Sequence, residues 1–540
     1  MILGAGVMQG PAIRIARELG FFTVVLDGSS TAPCVGMADR FERIDLKDKE
    51  GIEAFARTLR DGPDGLGGIM TAGTDFSATV AWVAEKLGLP GIPYETALNA
   101  SDKGRMRSCF RRAGLPSPHF ITITAADGLA GVSLPAPFPL VIKPVDNMGG
   151  RGCRKVNGMD EFQEAAAEAL RFSGSGRAIV EAFMEGPEFS VDAIVYRGEI
   201  TICGLADRHI FFPPFFIEMG HTMPSGVPAD RQKAILDTFC AGVRALGLVA
   251  DGNVGAAKGD IKLTPAGPMI GEIAARLSGG YMSGWTYPYS SGVEPVRAAI
   301  LAAMGRPPEC LVQCKDWTSA ERAFISIPGT VKSIVGADAV CKIPYVRDLF
   351  LRSVEGEKVS FPEDNVSKCG NVISDAPDRA TAVDAAESAV RAILIRLDPA
   401  DSETQVFLQG CAEPGGRRAA FPPDAFDLPP RLSALLSAMP ETRTGSGAAA
   451  ENRGVFLVAF PEFAESGLTD YAGRSVADGL EAVRRLTGLS LPEICAGNIT
   501  EATETSDNDG VYLGKSFWAA FARGSYQGAV YCIDRLLGCR

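Results

Sequence analysis

Gly259 to Gly280 reads GDIKLTPAGPMIGEIAARLSGG. Two apolar runs, Ile261 to Leu263 and Met269 to Ile273, flank Pro265-Ala266-Gly267, which predicts a β-hairpin. If the hairpin is symmetric about Ala266, Asp260 lies directly opposite Glu272. Opposed residues share a face, with Cβ atoms about 4.5–5.5 Å apart. Two facing carboxylates repel unless a cation lies between them, and hard oxygen donors at that spacing suit Mg²⁺ beside phosphates. Arg276 has the parity of Glu272 and reaches the same side. Ser278-Gly279-Gly280 follows as a tight polar loop.

Working upstream, Leu140 to Gly152 reads LVIKPVDNMGGRG. An apolar strand, Leu140 to Pro144, holds Lys143, and the glycines at 149, 150 and 152 let backbone N–H groups wrap polyphosphate oxygens. Asn99 to Arg105 reads NASDKGR and sets Lys103 early in a helix predicted over 99–112. Ile179 to Asp192, IVEAFMEGPEFSVD, is a strand, a turn at Gly186-Pro187 and a returning strand. The backbone of such a hinge can mimic a Watson–Crick edge, with Glu181 and Glu188 placed for an amino group and ribose hydroxyls.

The chain opens with a short strand at Ile2-Leu3, the turn Gly4-Ala5-Gly6, a helix and a second strand ending at Asp27. That is the start of a doubly wound sheet. The dinucleotide spacing G-x-G-x-x-G fails, because Gln9 stands where the third glycine belongs. Gly510 to Ser516, GVYLGKS, is one residue short of a P-loop, and its interior reads as strand.

With 540 residues the chain is expected to divide into three or four units at roughly 150 residues each. A net charge of −12 argues against a broad nucleic-acid surface. The 13 cysteines are scattered without a CxxC pair and only three histidines occur, so a zinc or His-rich centre is not expected. No signal peptide and no apolar stretch of about 20 residues is visible, so the expectation is a cytoplasmic protein off the membrane.

These pieces, in this order, resemble the ATP-grasp superfamily, nearest to carboxylate–amine ligases such as the L-amino-acid ligases. Carbamoyl-phosphate synthetase, biotin carboxylase and the purine-pathway ligases share the core. The resemblance covers roughly residues 1 to 400. It implies an α/β fold of the α+β ATP-grasp kind: an N-terminal doubly wound parallel sheet, a two-lobed ATP-grasp core, a small C-terminal lobe and an extra C-terminal domain. The expected boundaries are 1–98 for the N-terminal domain and 99–310 for the ATP-grasp domain, with a mobile lid lobe at about 115–190. Residues 311–400 form the small ligase lobe, 401–453 a Pro- and Gly-rich linker, and 454–540 a domain matched to nothing.

By resemblance, ATP is held by Lys103, Lys143, the loop Met148, Gly149, Gly150 and Gly152, the hinge Glu181, Ala182 and Phe183, and Glu188 at the ribose. Asp260 and Glu272 ligate Mg²⁺, with Mn²⁺ as the alternative ion. Arg276 and Lys143 are the expected catalytic groups. Glu218, His221, Ser278 and Gly279 border the substrates, a small-molecule acid and amine, in a protein whose candidate assembly is a homodimer. Two departures stand out. Many members have Glu-x-Asn-x-Arg, where this chain has Glu272-Ile273-Ala274-Ala275-Arg276, and the first acid is Asp260 where Glu is common. The expected activity is an ADP-forming ligase that activates a carboxylate as an acyl phosphate and joins it to an amine. A carboxylase phosphorylating bicarbonate and a decayed nucleotide-binding regulator are the alternatives.

Overall fold

The computed structural model describes residues 1–63, 65–127, 132–410, 421–444, 454–495 and 510–538. The chain divides into two compact units, the first built from Met1–Glu321, Glu363–Asn365 and Ile373–Val383.

In the first unit, β1 (Ile2–Leu3), β2 (Val24–Asp27), β3 (Arg40–Arg43) and β4 (Met70–Thr71) form a parallel sheet in the order β3-β2-β1-β4. Helix α1 (Gly10–Glu18) connects β1 to β2, α2 (Lys49–Arg60) connects β3 to β4, and α3 (Ser77–Leu87) follows β4. Val25, Leu26, Leu3 and Ile13 are fully buried, as strands with both faces covered require. Gln9 explains the absence of a dinucleotide turn. Its side chain is 5% exposed, accepts from Gly6 N at 2.9 Å and donates to the Ala72 carbonyl. It fills the space against Gly4 that a pyrophosphate would need.

The helix expected over 99–112 is two helices, α4 (Tyr94–Ser101) and α5 (Lys103–Arg112). Asp102 breaks them: its backbone is extended and its carboxylate caps Arg105 N at 2.9 Å. A side-chain acceptor at that point starts a new helix rather than continuing the old one, and Lys103 becomes its first residue.

Next come β5 (Phe120–Thr124), β6 (Leu140–Pro144), β7 (Arg154–Val156), α6 (Met159–Phe172) and β8 (Arg177–Ala182). The strands form an antiparallel sheet in the order β5-β8-β6-β7, covered by α6 through Phe162, Ala165, Ala166 and Ala169. The larger sheet of this unit runs β13-β12-β9-β10-β11, from β9 (Glu188–Tyr196), β10 (Glu199–Phe211), β11 (Ile217–Met223), β12 (Val254–Thr264) and β13 (Gly267–Ala274). One face carries Val191, Ile261 and Ile273 and packs on Phe110 of α5 and Phe239 of α7 (Ala229–Ala245). Gly259 lies on this face, where a Cβ would run into the Phe239 ring. The opposite face is polar and holds the site.

The second unit comprises Arg322–Pro362, Val366–Val372 and Asp384–Arg540. Its strands Gly329–Val335, Lys358–Val359 and Leu394–Leu397 share a sheet. The helix Arg379–Ala392 stops short of Leu394–Leu397, which pairs antiparallel with Gly329–Val335. That strand gives those residues backbone partners on one side, and on the other Tyr526 and Gln527 bond the N–H and carbonyl of Ile395. Residues 401–453, expected as a linker, contain the helices Ser402–Gln409 and Pro430–Ala438, and Phe426 is fully buried. The parts of that segment at 411–420 and 445–453 lie outside the described residues. Val511–Leu513 is a strand, as the interior of the P-loop look-alike predicts. Among the described residues, no helix is long and apolar enough to cross a membrane.

Candidate active site

The site begins as a pattern on the polar face of the larger sheet. On β9, Glu188, Ser190 and Asp192 share one face because side chains alternate along a strand. Lys262, Asp260 and Lys258 of β12 lie opposite them in that order. Arg208 of β10 lies opposite Glu188 from the other side. On β13, Glu272 faces Asp260 and Ala274 faces Lys258. The predicted Asp260–Glu272 pairing is present, but the turn does not set it alone. Thr264 pairs with Gly267 and Ile261 with Ile270, a symmetry that would put Asp260 on Gly271. A β-bulge between Asp260 and Ile261 moves the register by one residue and restores Glu272.

Two buried charge clusters meet here. In the first, Glu181 accepts from Arg107 Nε at 2.7 Å and pairs with Lys143 Nζ at 2.8 Å. Burial pushes the Glu181 carboxyl up, but Arg107 and Lys143 overcome it and hold the group down at about 2. Arg107 is wholly buried and also donates to the Gly271 carbonyl at 2.5 Å, which ties α5 to the bulge. Lys103 lies 3.5 Å from Glu272 and donates to the Asn147 carbonyl at 3.0 Å. Burial works against the Lys103 charge, yet Glu272 and Asp75 raise its pKa above the ordinary value. Burial works against the partly exposed Glu272 carboxylate too, and Lys103 and Lys143 keep it below the ordinary value.

The second cluster centres on Arg208, which pairs with Glu188, with Glu218 at 2.7 Å and with Asp260 at 3.3 Å. Asp260 also accepts from Ser190 Oγ at 2.8 Å and from Lys258. Burial raises its pKa, and Arg208 and Lys258 bring it down to about 2. His221 lies 3.0 Å from Glu321 and 3.6 Å from Glu218. The loop after β13 is anchored by Asp192, which accepts from Ser278 N at 3.1 Å and from the Ser278 hydroxyl. Burial pushes the Asp192 carboxyl up to about 6. Arg276 sits 3.8 Å from Asp75, on the loop that follows β4, and Leu277 bridges to Ala72. The N-terminal sheet thus delivers an acid to the edge of the site.

The structure brings Lys103, Lys143, Asp260, Glu272, Glu218 and His221 into this connected network. The glycine loop joins it through Asn147. Gly149, Gly150 and Gly152 all have positive φ, the left-handed backbone that glycine adopts without strain. The hinge differs from expectation at Glu181, whose side chain is 2% exposed and turned to its two cations. The N–H groups of Ala182 and Phe183 donate to the carbonyls of His119 and Pro139. Glu188 stands at the end of β9, held by Arg208. Sequence reasoning missed Arg107, Arg208, Asp192 and Asp75. The one signal available for Arg208 was parity across β9 and β10, which becomes readable once their pairing is known.

The donors present fit a divalent ion. Asp260 and Glu272 face one another, and Mg²⁺ typically takes one or two carboxylates when phosphates and water complete its shell. Among the described residues, no three His, Cys, Asp or Glu side chains converge as a larger metal site. Cys153, buried near Lys143, has its thiol pushed up to about 11 by burial and offers no thiolate nucleophile.

Residues 136–283 match the ATP-grasp domain family, so the chain carries an ATP-grasp domain. Residues 323–398 match the L-amino acid ligase C-terminal domain 2. The chain is 25% identical over 395 residues to the uncharacterized protein y4rH of Sinorhizobium fredii, covering 72% of this chain and 80% of that one. It is 27% identical over 335 residues to carnosine synthase 1 of Gallus gallus, covering 57% of this chain and only 35% of the relative. The crystal structure of L-amino acid ligase from Bacillus licheniformis superposes with a TM-score of 0.64 at 21% identity, covering 74% of this chain and 98% of that one. In fold the chain is similar to the L-amino acid ligase structure, and residues 136–283 match the ATP-grasp domain family.

Proposed function

We propose that the protein is a Mg·ATP-dependent, ADP-forming ligase that activates a carboxylate as an acyl phosphate and joins it to an amine. The convergence of Lys103, Lys143 and Glu272 beside the Met148–Gly152 loop carries this reading. The chain's own groups divide the work. Lys103 and Lys143 clamp the ATP phosphates while the glycine loop covers them. A magnesium ion held on the Glu272 side of the carboxylate pair would neutralise charge at the phosphates. Arg276 orients the acid so that a carboxylate oxygen attacks the γ-phosphorus and ADP leaves. The amine nitrogen then attacks the acyl carbon, phosphate departs and an amide remains. Preorganised cations aimed at the transferring group are the main source of acceleration in such transfers. Glu218 and His221, on the wall facing the Ser278–Gly280 loop, border the acid and amine.

The ligase matches point to amino acids as the first substrates to try. Hydroxylamine replaces the amine and traps the activated acid as a hydroxamate. With the right acid, ADP and hydroxamate should form in equal amounts. Lys143→Ala should weaken ATP binding roughly 10- to 100-fold, the scale of hydrogen bonds to charged groups. ADP release without hydroxamate at any hydroxylamine concentration would reject the amine-ligase reading, and turnover that requires bicarbonate would replace it with a carboxylase.

A further inference from the structure

We propose that this site takes a single divalent cation with its nucleotide, on the Glu272 side of the carboxylate pair, and that Lys258 and Arg208 stand where a second cation would bind Asp260. The inference rests on the ATP reading above. Both oxygens of Asp260 are engaged by the chain itself. Oδ1 accepts from the Ser190 hydroxyl at 2.8 Å, while Oδ2 faces the Lys258 ammonium and the Arg208 guanidinium, the latter at 3.3 Å. The Lys258 and Arg208 side chains are 13% and 14% exposed, so water screens their charge little. A second metal ion at Asp260 would add two positive charges to a carboxylate that already has two cations against it.

The strand register builds this arrangement in. Lys258 lies directly opposite Ala274, two residues beyond Glu272 on the same face. An oxygen-bearing side chain at 274 would be a further metal donor, and it would meet Lys258 there. The alanine methyl donates nothing and leaves the ammonium to turn along its own strand to Asp260. Arg208 is anchored by Glu188 and Glu218 as well as Asp260, so neutralising one of them does not release it. Glu272 is the more open carboxylate, 29% exposed against 11% for Asp260, and its Lys103 partner is 3.5 Å away.

The test counts ions. Mn²⁺ titration of the full-length protein, followed by electron paramagnetic resonance with a non-hydrolysable ATP analogue, should show one ion per chain. Asp260→Asn should change Mn²⁺ affinity by less than about threefold, while Glu272→Gln, which removes the donor itself, should lower it by more than about tenfold, at least the loss that follows removal of an outer-shell partner. A Lys258→Ala/Ala274→Asn double variant that still binds the analogue should admit a second ion. Two ions per wild-type chain, equal loss in the two single variants, or one ion in an analogue-binding double variant would each overturn the inference. The wild-type count decides whether or not the double variant folds. Failure of the analogue to bind at all would overturn the ATP reading and this inference with it. Binding accompanied by two ions overturns this inference alone.

Discussion

His221 shows what one buried side chain does in this network. It is 1% exposed, with Glu321 at Nδ1 and Glu218 beyond Nε2. Burial favours the neutral ring, but Glu218, and then Glu321, favour the cation more, and its pKa rises from 6.5 to about 9. A group whose folded pKa is raised contributes stability that is fully present below its unfolded value and lost as pH rises through the folded one. His221 should therefore stabilise the fold below pH 6.5 and lose that contribution by about pH 9, a span worth on the order of 3 kcal/mol. The melting-temperature gap between wild type and His221→Gln, followed from pH 6 to pH 10, isolates this effect from other titrating groups. The gap should shrink across that window. A constant gap would mean that the histidine is neutral between its acids.

At the scale of elements, the turn after β13 is the most constrained piece of the site. Gly280 has φ +58°, and a Cβ there would lie 2.9 Å from both Glu218 Oε1 and His221 Cε1. Gly280→Ala should cost roughly 1–2 kcal/mol from the left-handed backbone, measured by urea unfolding. It should also push the Glu218–His221 wall away and raise KM for the acid or amine while leaving KM for ATP unchanged. A rise confined to ATP would mean that this wall does not border the acid and amine. The sequence announced this turn by its glycines and the hairpin by its alternation, because both signals are local. Asp260 opposite Glu272 was legible as a pair, but the bulge that aligns them was not read, although Ile270 and Ile273, both in the core and three residues apart, break the two-residue alternation. Arg107 and Arg208 were illegible for a different reason. An arginine in a helix or an alternating strand reads as solvated until the acid it meets is known. Arg107 meets Glu181, 74 positions away.

On the scale of the whole molecule, 401–453 was expected as a linker and 454–540 as a domain of unknown role, yet in the second unit side chains from both segments share a core with the strand Leu394–Leu397. Leu394 packs in one apolar cluster with Phe426, Phe463, Trp518 and Phe521. The helix Lys515–Leu537 meets that strand through polar groups as well. Tyr526 Oη accepts from Ile395 N at 2.9 Å, and Arg396 bonds both oxygens of Asp534, at 2.8 and 2.5 Å. The Arg396 and Asp534 side chains are 17% and 5% exposed. Removing one partner of a buried, doubly bonded pair leaves a charge without compensation, at a cost of about 3–5 kcal/mol. Asp534→Ala should therefore lower the unfolding free energy of the second unit, read from urea titration, by an amount of that order. Hydrogen exchange should rise in Leu394–Leu397, more than 130 positions away in sequence. Asp534→Asn, which keeps one acceptor, should recover part of the loss. If Asp534→Ala leaves exchange at Leu394–Leu397 unchanged, the C-terminal residues are a passenger on this unit. If exchange rises, they are the second half of the core on which the ligase-type C-terminal domain folds.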